Sequence, residues 1–411
     1  MSEAIIVLNA GSSSLKFSIY QIADDDLTPI ARGEVEGLGG AARFKAKDRQ
    51  GSVLKDEELS TPSDASFDHE QAFDEVAQWV RAEFGGVLFP VAIGHRVVHG
   101  GSEFTAPTVL TSKVVQALDR LVPLAPLHQP HNLAGVRAVR KLRPDLPQVA
   151  CFDTAFHHGR ATVVERFALP DECYQRGVRR WGFHGLSYES VVDTLRGTVP
   201  ELVEGKIVVA HLGNGASMCA IKGGRSVDTS MGFSTLDGLP MGTRCGSLDP
   251  GALLFLMQSR SHAEVENLLY EKSGLLGISG VSNDVRELLA STSPRAAEAI
   301  EYFVYRAVRE IGSLAAALGG LDALIFTAGI GENSPLIRSR ICREVGWLGV
   351  ALDAGSNERG RGCISPAGRS PSVWVVPSNE ERVIATGTWS ALRAAQEKVS
   401  RSSPRSGGRP K

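Results

Sequence analysis

Apolar and polar positions near the start of the chain follow the pattern of a strand, a tight turn and a second strand. An apolar run at 5–8 enters a polar turn at 9–14, and from Leu15 to Ile19 apolar and polar side chains alternate. Alternation with a period of two predicts a β-strand. We therefore interpret segment 5–20 as two strands joined by a turn, where Gly11 allows close approach of the backbone to a ligand.

The same pattern returns much later in the chain. An apolar run at 206–212 enters a turn made of Gly, Asn and Ser, and a second strand-like run follows to Gly224. Repetition of a supersecondary unit indicates that the chain consists of two similar halves. Turns of this kind can bind phosphate oxygens through successive backbone N–H groups. For the first copy alone, an ordinary hairpin with a Ser-rich turn remains the alternative.

Further apolar runs predict buried strands that end in charged residues. The run at 91–98 carries Arg96 beside two glycines, and the run at 149–152 ends at Asp153. An arginine fork suits the oxygens of a carboxylate or phosphate, although a surface ion pair is the alternative for a single arginine. A carboxylate at the carboxyl end of a strand is a frequent catalytic placement in open α/β sheets, whereas a loop-capping aspartate is the alternative for Asp153.

Between the strands, the chain alternates between predicted helices and loops rich in glycine or proline. Helical spacing of apolar residues predicts helices near 67–84, 296–318 and 383–396. The three prolines of 121–131 predict a rigid loop that presents a histidine, and the strand at 323–327 leads into a predicted Gly-rich loop at 329–333. Residues 400–411 are rich in Ser, Gly, Pro and Arg, and we expect them to be disordered.

Composition limits the classes of partner and compartment. The 411 residues allow two or three domains, and the formal net charge of −2 gives no reason to expect nucleic acid or an anionic membrane as a partner. We expect no signal peptide, and no apolar run reaches the roughly 18 residues typical of a membrane span. The six cysteines are scattered without a C-x-x-C pair. They indicate reduced thiols in a cytoplasmic protein.

Taken in order along the chain, the motifs resemble the acetate kinase family, within the acetate and sugar kinase/Hsp70/actin superfamily. The resemblance extends from about residue 4 to 396. The motifs that carry it are N-A-G-S-S-S-L-K, G-H-R-V-V-H-G-G, P-L-H-x-P-H, F-D-T-A-F-H, F-H-G, H-L-G-N-G-A-S-M, M-G-T-R, S-N-D-V-R, T-A-G-I-G-E-N-S and S-N-E-E.

This resemblance implies a fold. We expect an α/β protein with two duplicated ribonuclease H-like (actin-like ATPase) domains, each with a mixed β-sheet flanked by helices, and a cleft between them. The expected N-terminal domain comprises 1–152 and is closed by a C-terminal helix at 384–399. The expected second, nucleotide-binding domain comprises 153–383.

The resemblance also implies an activity. It implies direct in-line transfer of a phosphoryl group from ATP to acetate, giving acetyl phosphate and ADP, with Mg²⁺ (or Mn²⁺ in its place), in a cytoplasmic homodimer. A propionate or other short-chain acyl kinase is the nearest alternative. A non-catalytic ATP-binding protein of the actin or Hsp70 kind and a sugar kinase are more distant ones, since neither needs the set Arg96, Asp153 and Arg244.

Roles are implied where residues match the family's motifs. The expected catalytic residues are Arg96, His128, Asp153, His184 and Arg244. The expected acyl pocket consists of Arg96, Val98, Leu127, Phe183 and Thr235. The expected nucleotide site consists of Ser12, Ser14, Lys16, His211, Leu212, Gly213, Asn214, Gly215, Asp284, Val285, Arg286, Gly329, Ile330, Gly331, Glu332 and Asn333. The expected Mg²⁺ site consists of Asn9 and Glu380, with Glu381 as the alternative carboxylate.

Two features of the sequence refine these expectations. Thr235 stands where the family usually has proline, and Tyr188 ends an F-H-G-L-S-Y segment that is usually F-H-G-T-S-H. The choice between acetate and propionate stays open, because one methylene in an apolar pocket changes discrimination by only about 1–3 kcal/mol. A carboxylate substrate is already a nucleophile at neutral pH, so the sequence favours an orienting or metal-linked role for Asp153 over that of a base.

Overall fold

The computed structural model describes residues 1–11, 14–23, 26–59 and 67–402. Its strands are β1 Ser2–Ala10, β2 Ser14–Ala23, β3 Asp26–Glu36, β4 Ala42–Asp48, β5 Val53–Leu59, β6 Leu88–Val97, β7 Thr108–Val109, β8 Gln148–Phe152, β9 Lys206–Leu212, β10 Ala216–Lys222, β11 Arg225–Thr229, β12 Ala323–Thr327, β13 Gly362–Cys363 and β14 Ser372–Val375. Its helices are α1 His69–Phe84, α2 Ser112–Asp119, α3 Gln129–Leu142, α4 Thr162–Glu165, α5 Asp171–Gln175, α6 Gly185–Thr198, α7 Pro200–Val203, α8 Pro250–Met257, α9 His262–Glu271, α10 Gly274–Ser279, α11 Val285–Ala290, α12 Pro294–Leu318, α13 Ala328–Asn333, α14 Pro335–Glu344, α15 Ala354–Arg359 and α16 Glu380–Ser402. Ser12 of the expected nucleotide site and residues 403–411 of the expected tail lie outside the described residues.

The chain divides into two compact units, which we call the first unit (1–155 and from Glu380 onward) and the second unit (156–379). The first unit contains a sheet with strand order β5-β4-β3-β2-β1-β6-β8-β7, and the second a sheet with order β11-β10-β9-β12-β14-β13. Parallel pairs (β1–β6, β6–β8, β9–β12 and β12–β14) and antiparallel pairs occur in both sheets, so both are mixed.

The two sheets repeat one plan. In each, three antiparallel strands (β3-β2-β1 and β11-β10-β9) are followed by two parallel strands and one short antiparallel edge strand. The hairpins β1–β2 and β9–β10 occupy equivalent places and contain the two polar turns. The prediction of a duplicated α/β fold with mixed sheets flanked by helices is therefore confirmed.

The core of the first unit follows from the alternation in β2. The alternating residues Leu15, Phe17 and Ile19 are buried, and the Phe17 ring packs with those of Phe44 and Trp79, with ring centroids 5.4–5.6 Å apart. Helix α1 supplies Trp79 and begins with a capping box formed by Asp68 and Gln71. This burial of large aromatic surface holds α1 on the sheet and fixes the register of the first hairpin.

Helix α16 packs directly on the sheet of the first unit. Gly94 of β6 lies beneath it, since a Cβ at that position would be 2.3 Å from Thr388 Oγ1 and 2.8 Å from Ile384 Cγ2. The close approach places the first turn of α16, which begins at Glu380, beside the first unit's own sheet. Glycine at position 94 is thus required for this packing.

Two loop predictions are wrong in detail. The segment 329–333 is the short helix α13, because Ala328 turns the chain at φ 64° and its N–H donates to the Glu332 carboxylate, which stabilises a helical turn. Within 121–131 the chain forms a 3₁₀ turn at Val122–Leu124, and α3 already begins at Gln129. The proline at the start of α3 is compatible with its first turn, where a missing N–H removes no helical bond.

Two further observations concern the chain as a whole. All six cysteines are free. Across the described ranges, none of the helices combines the length and apolar character needed to cross a bilayer. Helix α16 continues to Ser402, beyond the start of the segment expected to be a tail.

Candidate active site

The carboxyl ends of β6 and β8 in the first unit bring an arginine and an aspartate together. Arg96 donates from Nε to Asp153 Oδ1 at 3.0 Å and from Nη2 to Asp153 Oδ2 at 2.7 Å. This bidentate pair is held because β6 and β8 are parallel neighbours, with Val97 opposite Phe152. Only 3 % of the Asp153 side chain and 22 % of the Arg96 side chain are exposed.

A second carboxylate joins this pair from α16. Glu380 Oε2 lies 3.8 Å from Arg96 Nη1. Burial raises the pKa of Glu380 to about 6, while Arg96 opposes that rise and Asp153 adds to it. Burial disfavours the Arg96 charge, but Asp153 and Glu380 more than offset this and raise the pKa of Arg96. The cluster therefore contains more carboxylate than the guanidinium can neutralise, which favours an additional cation.

The turn of the first hairpin lies in the same unit. Asn9 at the end of β1 is half-buried and pairs with Lys16 of β2, and the turn is closed by the Gly11 N–H, which donates to the Ser14 carbonyl at 2.8 Å. Lys16 is exposed, and its charge slightly opposes the rise in the pKa of Glu380 that burial causes. Asn9, Ser14 and Lys16 are thus placed at one end of the hairpin, and their role in phosphate binding stays a prediction.

Asn132 links this turn to the segment after Arg96. Its Nδ2 donates to the Ala10 carbonyl at 2.7 Å, and its Oδ1 accepts from the Val98 N–H at 3.0 Å. Asn132 is 4 % exposed, so both bonds are shielded from water. A buried amide with each end engaged fixes the two segments relative to one another.

The remaining expected residues of the first unit lie near these groups along the chain. Val98 is buried directly after β6, and Gln129 holds the next residue, His99, through both its backbone N–H and its carbonyl. Leu127 and His128 are half-buried in the turn that precedes α3.

In the second unit, the M-G-T-R segment at 241–244 contacts the Gly-containing turn that follows β9. The Gly242 N–H donates to the Asn214 carbonyl at 3.0 Å, and a Cβ at position 242 would lie 1.9 Å from Asn214 Oδ1. The turn is closed by the Gly213 N–H, which donates to the Gly215 carbonyl at 3.2 Å. The backbone of Gly242 therefore supports the turn, and a side chain at position 242 would displace the exposed Asn214 amide.

Two imidazoles and an arginine border this turn. The rings of His184 and His211 stack with centroids 4.3 Å apart. A Cβ placed on Gly215 would lie 3.4 Å from His184 Nε2 and 4.0 Å from Arg244 Nη1, and one on Gly213 would lie 3.9 Å from His211 Nε2. The turn thus combines backbone N–H groups with side chains that can donate hydrogen bonds to an oxyanion.

Thr235 and Phe183, the other residues of the expected acyl pocket, are also in the second unit. Phe183 is fully buried, and its carbonyl accepts from Nε2 of His157, whose pKa burial lowers to about 3. Thr235 is 8 % exposed, and its carbonyl accepts from Arg244 Nη1 at 3.3 Å. Phe183 therefore holds the chain next to His184, and the Thr235 carbonyl contacts Arg244, so each lies beside an expected catalytic residue.

Helix α13 contains the expected adenosine-binding residues from Gly329 to Asn333. The Glu332 carboxylate accepts from the N–H groups of Ala328 at 2.8 Å and Ser378 at 3.2 Å. Arg338, which is 1 % exposed, donates to the Gly331 and Glu332 carbonyls at 2.8 and 2.9 Å. The Glu332 side chain therefore organises this segment, while Gly329 and Asn333 are exposed.

The expected residues 284–286 form the start of α11. Asp284 caps the helix by accepting from the Arg286 N–H at 2.8 Å, and its carboxylate also pairs with the Arg286 guanidinium. This pairing lowers the pKa of Asp284. Val285 is 4 % exposed and packs into the unit, so the two charged residues are the ones that face solvent.

The donor set fits Mg²⁺ better than a metal that needs a full protein cage. In residues 1–11, 14–23, 26–59 and 67–402 there is no group of three or more His, Cys, Asp or Glu side chains arranged to hold a metal ion. Mg²⁺ is commonly held by one or two carboxylates, with waters and substrate phosphates completing the shell. Glu380 and the amide of Asn9 are oxygen donors of this type, and the excess carboxylate around Arg96 favours a cation.

Several residues that shape these sites were not predicted from the sequence. Asn132, Arg338, Tyr188 and Ser217 contact the expected site residues through bonds between segments far apart in the chain. Asn132 directly follows the P-L-H-x-P-H motif, and that proximity is the single signal the sequence offers for it. Tyr188 and Ser217 lie in recognised motifs, F-H-G-L-S-Y and H-L-G-N-G-A-S-M, but neither motif indicates that the two side chains meet, and Arg338 lies outside the motifs.

Comparison with known proteins adds independent information. The family model described as the acetokinase family matches residues 4–386. The chain is 49 % identical over 396 residues to an acetate kinase of Rhodopseudomonas palustris, covering 95 % of this chain and 98 % of that protein. It is 47 % identical over 394 residues to an acetate kinase of Rhizobium meliloti, covering 95 % and 99 %.

Solved structures give the same result. The crystal structure of Porphyromonas gingivalis acetate kinase is 37 % identical with a TM-score of 0.83, covering 95 % of this chain and 100 % of that one. A propionate kinase from Francisella tularensis is 34 % identical with a TM-score of 0.86, with the same coverage. Both likenesses extend over nearly the whole chain, so they concern both units.

Proposed function

The chain belongs to the acetokinase family, and from this premise we propose that it transfers the γ-phosphoryl group of ATP reversibly to the carboxylate of acetate. The products are acetyl phosphate and ADP. The observation that carries the proposal is the bidentate pair of Arg96 and Asp153 at the carboxyl ends of β6 and β8. A preoriented guanidinium suits a carboxylate substrate better than the neutral hydroxyl of a sugar.

In the first unit, we assign substrate orientation to Arg96. Asp153 occupies Nε and Nη2 of the guanidinium, and Glu380 Oε2 lies 3.8 Å from Nη1, so a bound carboxylate would share the Nη1 side with Glu380. Val98 and Leu127 would supply apolar contacts for the methyl group, with His128 nearby in the chain. Acetate is ionised at neutral pH, so Asp153 acts by holding Arg96 and not by removing a proton.

In the second unit, we assign phosphate binding to the turn His211–Gly215. Its backbone N–H groups, His184 and Arg244 would stabilise charge on the equatorial oxygens of the transferring group, which is the main requirement of phosphoryl transfer. Phe183 and Thr235 are the residues of this unit that we assign to binding of the acyl group. Asp284, Val285, Arg286 and residues 329–333 would hold the adenosine part.

Mg²⁺ would be held by Asn9 and Glu380, and Glu380 is preferred to Glu381 because its buried carboxylate joins Asp153 in a cluster that one guanidinium does not neutralise. When bound, the ion would neutralise phosphate charge. Ser14 and Lys16 lie at the same hairpin, where an exposed amine is available for a phosphate oxygen.

A homodimer is the proposed assembly. Helix α8 is almost entirely apolar, and Leu254, Phe255 and Met257 expose 65, 70 and 45 % of their surface in the single chain. Clusters of this kind mark protein interfaces, and a second copy is the occupant we propose. Phe255→Glu should convert a dimer into a monomer in light scattering, whereas Val87→Glu, at an exposed apolar residue of the first unit, should not. A monomeric wild type would contradict the assembly.

The cytoplasm is the proposed location, since six free thiols suit a reducing compartment.

A coupled assay of ADP formation tests the function. The full chain with Mg²⁺ and ATP should turn over acetate, with propionate and butyrate as comparison substrates. Arg96→Ala should reduce kcat/KM for acetate by about 10²–10³-fold, while Arg43→Ala, at an exposed ion pair of the same unit, should leave it unchanged. Absence of turnover with all three acids would refute the kinase proposal, and a preference for propionate would support the alternative acyl kinase.

A further inference from the structure

Each of the two stacked imidazoles beside the glycine turn is held at Nδ1 by a serine hydroxyl. His184 Nδ1 lies 2.8 Å from Ser217 Oγ, and His211 Nδ1 lies 2.8 Å from Ser187 Oγ. The Nε2 atom of His184 therefore faces the turn, where it is 3.4 Å from the position of a Cβ on Gly215. Which ring nitrogen of His184 carries the proton decides whether a donor or an acceptor faces that turn.

Tyr188 determines the direction of the hydrogen bond to His184. Its hydroxyl lies 2.5 Å from Ser217 Oγ, and the residue is fully buried. In the described part of the chain, Ser217 is the one hydrogen-bond partner of this hydroxyl. A buried donor that lacks an acceptor is costly, so the phenol proton must go to Ser217 Oγ.

The rest of the chain of bonds follows from the single proton of the serine. Because Ser217 Oγ accepts from Tyr188, its own proton is directed to Nδ1 of His184. A neutral imidazole that accepts at Nδ1 carries its proton at Nε2. The opposite direction would leave the Tyr188 proton without an acceptor.

The backbone of His184 adopts an unusual conformation that its neighbours hold in place. His184 has φ 58° and ψ 25°, in the left-handed region that non-glycine residues rarely adopt. Such a conformation persists when neighbouring groups determine it. Here the His184 carbonyl accepts from the N–H groups of Ser187 and Tyr188 in α6, while its ring is tied to Ser217 in β10.

We propose that Tyr188 and Ser217 are positioning residues that fix His184 as the Nε2–H tautomer, so that it donates a hydrogen bond to a phosphoryl oxygen at the glycine turn. The catalytic part of this proposal rests on the function proposed above. A donor that is already oriented needs no reorganisation during the reaction, which makes it more effective than one that must first rotate or exchange its proton.

The tautomer is measured directly by ¹H–¹⁵N NMR of the full-length chain labelled with [¹⁵N]histidine, without ligands, at about pH 8, where a free imidazole is neutral. His184→Gln identifies the signals of that ring by their loss. In the wild type we expect a protonated Nε2 and an unprotonated Nδ1. In Tyr188→Phe the serine proton is no longer directed, and we expect a mixture of both tautomers.

Kinetics supply the second readout. Tyr188→Phe should lower kcat by about tenfold, the equivalent of one neutral hydrogen bond, with KM values for ATP and acetate within about twofold. Tyr305→Phe removes a phenol hydroxyl from a residue that is 56 % exposed and should change neither the NMR signals nor kcat. If Tyr188→Phe fails to fold, the pair Tyr188→Phe/Ser217→Ala, which removes both polar partners together, provides the same comparison.

Two outcomes would overturn the proposal. One is an Nδ1–H tautomer of His184 in the wild type, and the other is a folded Tyr188→Phe variant with unchanged tautomer and unchanged kcat. Failure of the proposed function would give a different result, because the wild type would lack turnover with short-chain acids. The NMR measurement of the His184 tautomer needs no turnover and would still test the hydrogen bonds from Tyr188 through Ser217.

Discussion

Replacing Asp153 by asparagine should weaken acetate binding through Arg96. Asp153 accepts two hydrogen bonds from the guanidinium, at 3.0 and 2.7 Å. An asparagine keeps one acceptor but turns N–H groups toward the second donor, so one charge-assisted bond is lost. Such a bond contributes about 1.5–3 kcal/mol, or about 10–150-fold in affinity. Because 22 % of the Arg96 side chain is exposed, water weakens the lost bond, and we expect a loss of about tenfold in affinity for acetate.

The assay is a double-mutant cycle on initial rates. Asp153→Asn should raise KM for acetate by about tenfold and leave KM for ATP unchanged, while Asp119→Asn, at an exposed ion pair of the same unit, should alter neither. Because Asp153 acts through Arg96, adding Asp153→Asn to Arg96→Ala should cause little further loss. A full additional loss in that background, in kcat and of about 10²–10⁴-fold, would indicate a general base and refute the reasoning.

Three further predictions concern stability and nucleotide binding. Burial lowers the pKa of His157 to about 3 and those of His95 and His99 to about 4. In the unfolded chain these imidazoles bind protons near pH 6.5, so the free energy of unfolding should fall as the pH drops from about 6.5 toward 4, by about 2 kcal/mol per histidine at pH 5. Urea titrations at several pH values would measure this fall. Asn132→Ala should lower the free energy of unfolding by about 1–3 kcal/mol, because two buried backbone groups lose their partner, and an unchanged urea midpoint would contradict this. Arg338→Met should raise KM for ATP more than KM for acetate, since the buried guanidinium holds the Gly331 and Glu332 carbonyls of α13; equal KM changes for the two substrates would argue against that role.

The features predicted well from the sequence are those encoded locally. The alternation from Leu15 to Ile19 and its repetition after residue 206 are short-range patterns, and they predicted both hairpins and the duplicated sheets. Arg96 and Asp153 could be placed at strand ends because apolar runs stop there. The strand order then brings them into contact, since β6 and β8 are parallel neighbours.

The features missed depend on contacts between distant segments. Helix α13 contains two glycines, whose low helix propensity favours a loop, but the Glu332 carboxylate binds the Ala328 N–H and overrides that preference. The hydrogen bond between Tyr188 and Ser217 joins helix α6 to strand β10, and no spacing along the chain predicts it. Local patterns and motifs therefore proposed the candidate residues, while the bonds that support those residues could be seen only in the fold.

The closing of the first sheet by α16 has a consequence for synthesis on the ribosome. The face of β6 at Gly94 is covered by Ile384 and Thr388, which are translated after the entire second unit. Residues 156–379 form a continuous segment, so the second unit needs no segment that is made later. The first unit, although it is made first, acquires its final helix last and must wait with that face of the sheet uncovered.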